Sequence, residues 1–291
     1  MSTGFRVAAA PISWGVSEVP GWGTKLDADL VLAEMAELGV RATELGPPGY
    51  LSDDPKRLLD RYGLELVGGF LAVPLHDAET ARDSLRAAER SAAQFAECGG
   101  DVLVLAAATG LDGYDERPDL DDESWARLVE TADRIAEAAA ARGLRTVLHP
   151  HVGTHVETEA EVERFLADSP MPLCLDTGHL MLGGTDPVAL AAKHPERVGH
   201  IHLKDVRADL CEQVRAGSVA FTDAVAGGLF VPLGEGDVDT GAMVRAVHEA
   251  GYRGWYVIEQ DTALRPGAST SAPRLDTERS LAHLDQVFSG L

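Results

Sequence analysis

Eight short apolar runs recur along the chain, with helix-like or turn-rich segments between them, and that alternation leaves few folds open. They are VAAAPISW (7–14), ATEL (42–45), LELVGGFL (64–71), DVLVLAA (101–107), LRTVLH (144–149), PLCLD (172–176), VGHIHL (198–203) and WYVIE (255–259). Between them, LVLAEMAELG (30–39), TARDSLRAAERSAAQFAECGG and SWARLVETADRIAEAAAARG (124–143) carry apolar residues at steps of three and four, the spacing of one helix face. Gly39, Gly63, Gly143 and Gly251 stand where a helix hands the chain back to a strand. Parallel strands joined by helices predict an α/β fold, a single (β/α)8 TIM barrel over residues 1–291, because barrels of about 250 residues form one unit. No GxGxxG follows the first run, which sets aside a doubly wound dinucleotide-binding sheet.

The ends of four late runs carry the chemistry. His149 closes LRTVLH, Asp176 closes PLCLD, His202 closes VGHIH and Glu259 closes GWYVIE. In a barrel the C-terminal strand ends meet at one mouth. Two carboxylates with two imidazoles make a mixed oxygen and nitrogen set for one divalent ion, Mn²⁺ or Co²⁺ first, then Zn²⁺ or Mg²⁺, and suit calcium less. Cys98, Cys174 and Cys211 are odd in number and form no CxxC, so neither a disulfide framework nor a zinc knuckle is expected, and reduced thiols in a cytoplasm fit best. An ion with an open position polarises a carbonyl or hydroxyl. The expected reactions are therefore proton abstraction beside a carbonyl, followed by isomerisation, epimerisation or loss of water.

Further candidates surround these four. His149 and His151 share a face across Pro150, and either or both reach the mouth, as ligand or as a hydrogen-bond donor behind one. His155 is expected outside the ligand set. His179, three residues after Asp176, is placed to orient that carboxylate or to contact substrate. Of His200 and His202, one is expected to look into the barrel and the other to pack against a helix. Lys204 shares the strand face of His202, where its ammonium either stabilises charge developing on a substrate oxygen or sits solvated beside Asp205. Trp14 at the end of the first run is a candidate platform for a sugar-like ring, with core packing as the alternative. Glu44 after the second run is a candidate for hydrogen bonding a hydroxyl or for acid/base work.

The formal charge of −22, from 47 acids against 25 bases, repels phosphate backbones and anionic lipid, so no nucleic acid or membrane partner is expected. No basic leader with a long apolar region and no run of membrane-spanning length is present, and a soluble cytoplasmic protein is the expectation. The connection from Asp205 to Asp239 exceeds an ordinary strand-to-helix loop and is read as a lid. Within it GEGDVD lacks the acidic ladder of a calcium loop and is read as a tight turn shaping the rim.

Seven motifs together resemble the xylose isomerase-like barrel superfamily and, within it, the inosose (2-keto-myo-inositol) dehydratases. They are APISWG with VPGWG, TELG, HPHVGTHVET, LDTGHLMLGG, HLKDVR, VPLGEGDVD and GYRGWYVIEQD, and they span most of the chain. LDTGH and HLKD mark the wider superfamily, whereas APISWG and the histidine-rich fifth strand are narrower. The resemblance implies one divalent ion held through Glu, Asp, His and Glu of the fifth to eighth strands; Asp176, His202 and Glu259 match the last three, and the fifth-strand glutamate falls on His149. Ketose epimerases of the superfamily use two facing carboxylates, one of which is missing here, while the dehydratases also carry a histidine cluster there. The implied activity is a lyase that dehydrates a keto-inositol to a dione through an enolate. The base is a histidine of the 149/151 pair or Glu44, with Lys204 or His179 assisting the oxygen charge. A keto-sugar or cyclitol isomerase or epimerase and a non-catalytic sugar-binding barrel are the alternatives. An apurinic-site endonuclease of the same ancestry would need a basic groove, which the charge opposes. The expected partner is a small polyol or keto-sugar, and self-association into a homo-oligomer is admitted without an assembly motif to support it.

Overall fold

The computed structural model describes residues 4–291, so residues 1–3 of the predicted 1–291 unit lie outside the described residues. Eight parallel strands form its closed barrel: β1 (Arg6–Ala9), β2 (Ala42–Glu44), β3 (Glu65–Pro74), β4 (Val102–Ala108), β5 (Arg145–Leu148), β6 (Leu173–Asp176), β7 (Val198–Leu203) and, after two short strands outside the barrel, β10 (Trp255–Ile258). Consecutive barrel strands are neighbours, and β10 closes the ring against β1. The predicted helices lie at Ala28–Glu37, Ala81–Glu97 and Asp122–Ala140. Gly39, Gly63, Gly143 and Gly251 all take positive φ, as their places after helices require.

Many acids of this chain serve the helices. Asp27, Asp54, Asp121, Asp176, Asp186 and Asp239 each accept a backbone N–H at a helix start, and Thr158 with Glu161 forms a reciprocal capping box. Each cap satisfies a donor that the first turn leaves unpaired, worth about 1 kcal/mol. Part of the acidity read from composition is thus local helix chemistry.

The first apolar run is only half strand. β1 stops at Ala9, and Pro11–Trp14 forms a 3-10 turn, because proline supplies no N–H to a ladder and fixes φ at a helical value. The turn carries Trp14 off the rim and into the core. Trp14 is 0% exposed, and its indole Nε1–H donates to Glu34 Oε2 at 2.7 Å, on the helix Ala28–Glu37. It packs in the large apolar layer between barrel and helices and does not line the mouth, so the predicted substrate platform is corrected to a core residue.

The long connection after β7, read as a lid, carries secondary structure of its own. It is structured, with strand β8 (Asp205–Val206) pairing antiparallel with β9 (Phe230–Val231), and helices at Ala208–Arg215 and Phe221–Ala226. One carboxylate holds its return: Asp205, fully buried, accepts N–H bonds from Val206 and Val238 on Oδ1 and from Gly234 and Gly236 on Oδ2, at 2.8–3.0 Å. The turn within GEGDVD wraps this carboxylate so closely that a Cβ on Gly236 would strike Asp205, which is why glycine stands there. The helices bury Cys211, Phe221, Val225 and Leu229 with Trp22 and Val152 in a separate apolar cluster beside the mouth.

Candidate active site

Strand register assembles the four predicted ligands. Asp176 on β6 pairs directly with His202 on β7, and Val257 on β10 pairs with His202 from the other side, so that Glu259 follows two residues beyond. His149 leaves β5 with its backbone N–H still bonded to Leu105 of β4. One donor atom from each of His149, Asp176, His202 and Glu259 lies within 4.8 Å of all the others. Asp176 Oδ2 stands 3.3 Å from His149 Nε2 and 3.5 Å from His202 Nδ1, and His202 Nδ1 stands 2.7 Å from Glu259 Oε2. Donors about 2.1 Å from one ion, at right angles to each other, would be about 3 Å apart.

Hydrogen bonding leaves His149 Nε2, His202 Nδ1 and Asp176 Oδ2 free to ligate, while Glu259 Oε2 also accepts from Lys204 Nζ. His149 Nδ1 must donate to the Pro150 carbonyl at 2.8 Å, so the lone pair is on Nε2. His202 Nε2 donates to Glu44 Oε1 at 3.0 Å, which leaves Nδ1 for the cluster. Asp176 Oδ2 and His202 Nδ1 are buried without a hydrogen-bond partner, close to other groups but off the line of a bond. Two unsatisfied polar atoms facing each other in a dry site are costly unless something positive joins them. The donor set therefore fits a divalent cation.

Charge points the same way. Burial opposes ionisation of Asp176, but Lys204 and His179 hold its pKa well below the usual carboxylate value. Burial likewise opposes ionisation of Glu259, which His202 and Lys204 bring down to about 2. Burial would lower the pKa of His202, yet the negative potential from Cys174, Glu259 and Glu44 holds it well above the ordinary histidine value. A proton on His202 Nδ1 and a divalent ion therefore compete for one place.

Lys204 is not the solvated lysine of the alternative expectation. It is 2% exposed, and its Nζ donates to Glu259 Oε2 and Asp261 Oδ1, each at 2.7 Å, with Asp176 Oδ2 at 3.5 Å. Asp261 was not among the predicted residues. Burial, then the charge of Glu259, pushes its pKa up to about 6 against the pull of Lys204. It sits two residues past Glu259 in GYRGWYVIEQD, and its 2.7 Å contact with a side chain 57 positions away, together with its place on the cavity wall, marks it as part of the site.

The histidines divide by position. His151 donates Nδ1–H to the Val152 carbonyl at 2.7 Å, leaving a lone pair on Nε2, and its half-buried ring lines the mouth cavity. Burial and the neighbouring His149 bring its pKa down to about 3. His179 lies 3.8 Å from His151 between ring centroids, accepts the Val152 N–H on Nδ1, and turns Nε2 toward Asp261 Oδ2 at 3.7 Å. His155 packs against His76 on another face and takes no part. His200 and His202 both look inward: residues two apart on a strand share a face, and both rings meet Glu44 Oε1, which corrects the expectation that one packs on a helix. Glu44 is buried behind His202 while also bordering the cavity. The cavity walls that the sequence did not reveal are aromatic: Trp22, Phe70, Tyr114 and Phe221.

A parallel barrel whose late strand ends gather a two-histidine, two-carboxylate cluster defines the class. Residues 32–287 match the xylose isomerase-like TIM barrel family, and the chain belongs to it. Within that family the chain is an inosose dehydratase-like member. It is 36% identical over 276 residues to an inosose dehydratase of Geobacillus kaustophilus (strain HTA426), covering 89% of each chain. It is 34% identical over 267 residues to the rhizopine catabolism protein MocC of Rhizobium meliloti, covering 88% of this chain and 82% of that one. Among solved structures, an L-ribulose 3-epimerase superposes with a TM-score of 0.72 at 16% identity, covering 98% of this chain and 95% of that one, a likeness of fold alone.

Proposed function

We propose that the protein is a divalent-metal-dependent lyase that removes water from a keto-inositol. The observation that carries the reading is the cluster of His149, Asp176, His202 and Glu259, with His151 and His179 beside it at the mouth. The similarity to inosose dehydratases supplies the substrate class. These four residues would hold the ion, which supplies Lewis-acid polarisation of the substrate's ketone and neighbouring hydroxyl. The donor set favours Mn²⁺ or Co²⁺.

The remaining steps belong to side chains. His151 Nε2, neutral and open to the cavity, takes the proton from the carbon beside the ketone. The ammonium of Lys204, held by Glu259 and Asp261, lies where it stabilises negative charge developing on the substrate oxygen. The imidazolium so formed on His151 returns the proton to the departing β-hydroxyl, which leaves as water. His179 borders the ring and orients its hydroxyls, and the apolar walls exclude bulk water. The three cysteines are free thiols, which suits a reducing cytoplasm. Among the described residues no helix is long and apolar enough to cross a membrane.

The test is to supply Co²⁺ or Mn²⁺ with a panel of inososes and ketoses and to weigh the products. A product lighter by one water, with the absorbance of an enolised dione, is expected from an inosose; a product of unchanged mass would replace this reading with an isomerase. His151→Asn should lower kcat by about 10²-fold while ion binding stays at the wild-type level, as expected of an acid/base group. Loss of the ion together with activity would instead make His151 a ligand.

A further inference from the structure

Glu44 was expected to work on substrate, but its hydrogen bonds run inward. Its Oε1 accepts from His200 Nε2 at 2.9 Å and from His202 Nε2 at 3.0 Å, and all three side chains are at most 4% exposed. A carboxylate can only accept, so both rings present Nε2–H to it. For His202 this selects one tautomer, the one with its lone pair on Nδ1, 2.7 Å from Glu259 and 3.5 Å from Asp176. Register holds the arrangement. The β2–β3 pairing slips between Thr43 and Glu44, and the two-residue period of β7 puts His200 and His202 on one face, both within reach of Glu44. His200 makes no contact with Asp176 or Glu259 in the cluster, yet as second donor to the same oxygen it fixes which way Glu44 points.

The geometry points to Glu44 as the positioning residue of the metal centre: held by His200, it sets the tautomer and ring orientation of His202 and so tunes how tightly the ion is bound. This rests on the reading of His149, Asp176, His202 and Glu259 as a divalent-cation site. A carboxylate behind a ligating imidazole makes the ring a better donor and restrains it, and its loss costs about 10–100-fold in metal affinity. His149 has a weaker support of the same kind, the neutral carbonyl of Pro150, so the two histidine ligands are held unequally.

Calorimetric titration of the chelator-stripped protein with Co²⁺, compared among wild type, Glu44→Ala and Glu44→Gln, tests this without reference to turnover. Glu44→Ala should bind Co²⁺ about 10–100-fold more weakly. Glu44→Gln keeps an oxygen acceptor of the same shape without the charge, and should fall between the two. In the Zn²⁺-loaded proteins, NMR of ¹⁵N-labelled histidine should find the His202 Nε2 proton protected from exchange in wild type and rapidly exchanging in Glu44→Ala. Equal Co²⁺ affinity in all three proteins would overturn the role of Glu44 and leave the metal centre standing. A wild-type protein that takes up no Co²⁺ would overturn the metal centre and this role with it.

Discussion

Asp176→Asn is expected to strip the divalent ion from the protein and to cut turnover by roughly 10³–10⁴-fold, with the fold intact. The effect is large because Lewis-acid stabilisation is worth several kcal/mol and each 1.36 kcal/mol is tenfold in rate. The substitution also separates two jobs that Asp176 does with two oxygens. Oδ1 caps the helix Thr177–Leu182, accepting from Gly178 N–H at 3.0 Å and His179 N–H at 2.8 Å, and an asparagine oxygen takes over that cap at little cost. Oδ2 faces the lone pairs of His149 Nε2 and His202 Nδ1. An amide NH₂ in its place carries no negative charge and points its hydrogens at His149 Nε2 and His202 Nδ1, which blocks the ion. The melting temperature in chelator should fall, because Lys204 and His179 lose a carboxylate that they hold ionised, while elemental analysis finds no bound metal. Retained metal, or turnover within tenfold of wild type, would remove Asp176 from the ligand set.

That the site was legible at all follows from strand chemistry. A polar residue ending an apolar run has no reason to be there unless the strand end meets a site, and parallel strands bring all such ends to one face. His149, Asp176, His202 and Glu259 were marked by this pattern alone, as was the barrel order that gathers them. The residues that escaped are those whose meaning lies across the chain. Trp22 borders the mouth because its indole donates to Thr262, 240 positions away, and Phe221 arrives on a helix within what reads as a loop. Trp14 shows the opposite failure: a run of apolar residues reads as strand to its end, but Pro11 turns the backbone and swings the aromatic into the core. Glu44 was noticed for the right position and the wrong partner, since nothing local reveals that two imidazoles reach it from β7.

Lys204→Met is expected to destabilise the chelator-treated protein by about 3–5 kcal/mol at pH 8, the usual consequence of removing one member of a buried ion pair. The melting temperature should fall by roughly 5–12 °C. Methionine fills the space of the lysine stem, and the backbone bonds between residue 204 and Thr177 Oγ1 are unaffected, so the loss is electrostatic. What remains is three carboxylates, Asp176, Glu259 and Asp261, all previously within 3.5 Å of one ammonium. Asp261 already has its pKa raised to about 6 by burial and by Glu259, with Lys204 opposing the rise. Without the lysine it rises further. A carboxyl whose folded pKa exceeds its unfolded value binds an extra proton in the native state between those values, so native stability falls as pH rises through that window. The deficit of the variant should accordingly be smaller at pH 5, where the proton is taken up, than at pH 8. A divalent ion supplies positive charge to the same carboxylates and stabilises by mass action, so Co²⁺ in excess should restore part of the lost melting temperature at pH 8. Turnover should stay low even then if Lys204 has the oxygen-stabilising role proposed for it. Equal melting temperatures for variant and wild type in chelator at pH 8 would mean that Lys204 does not neutralise this cluster.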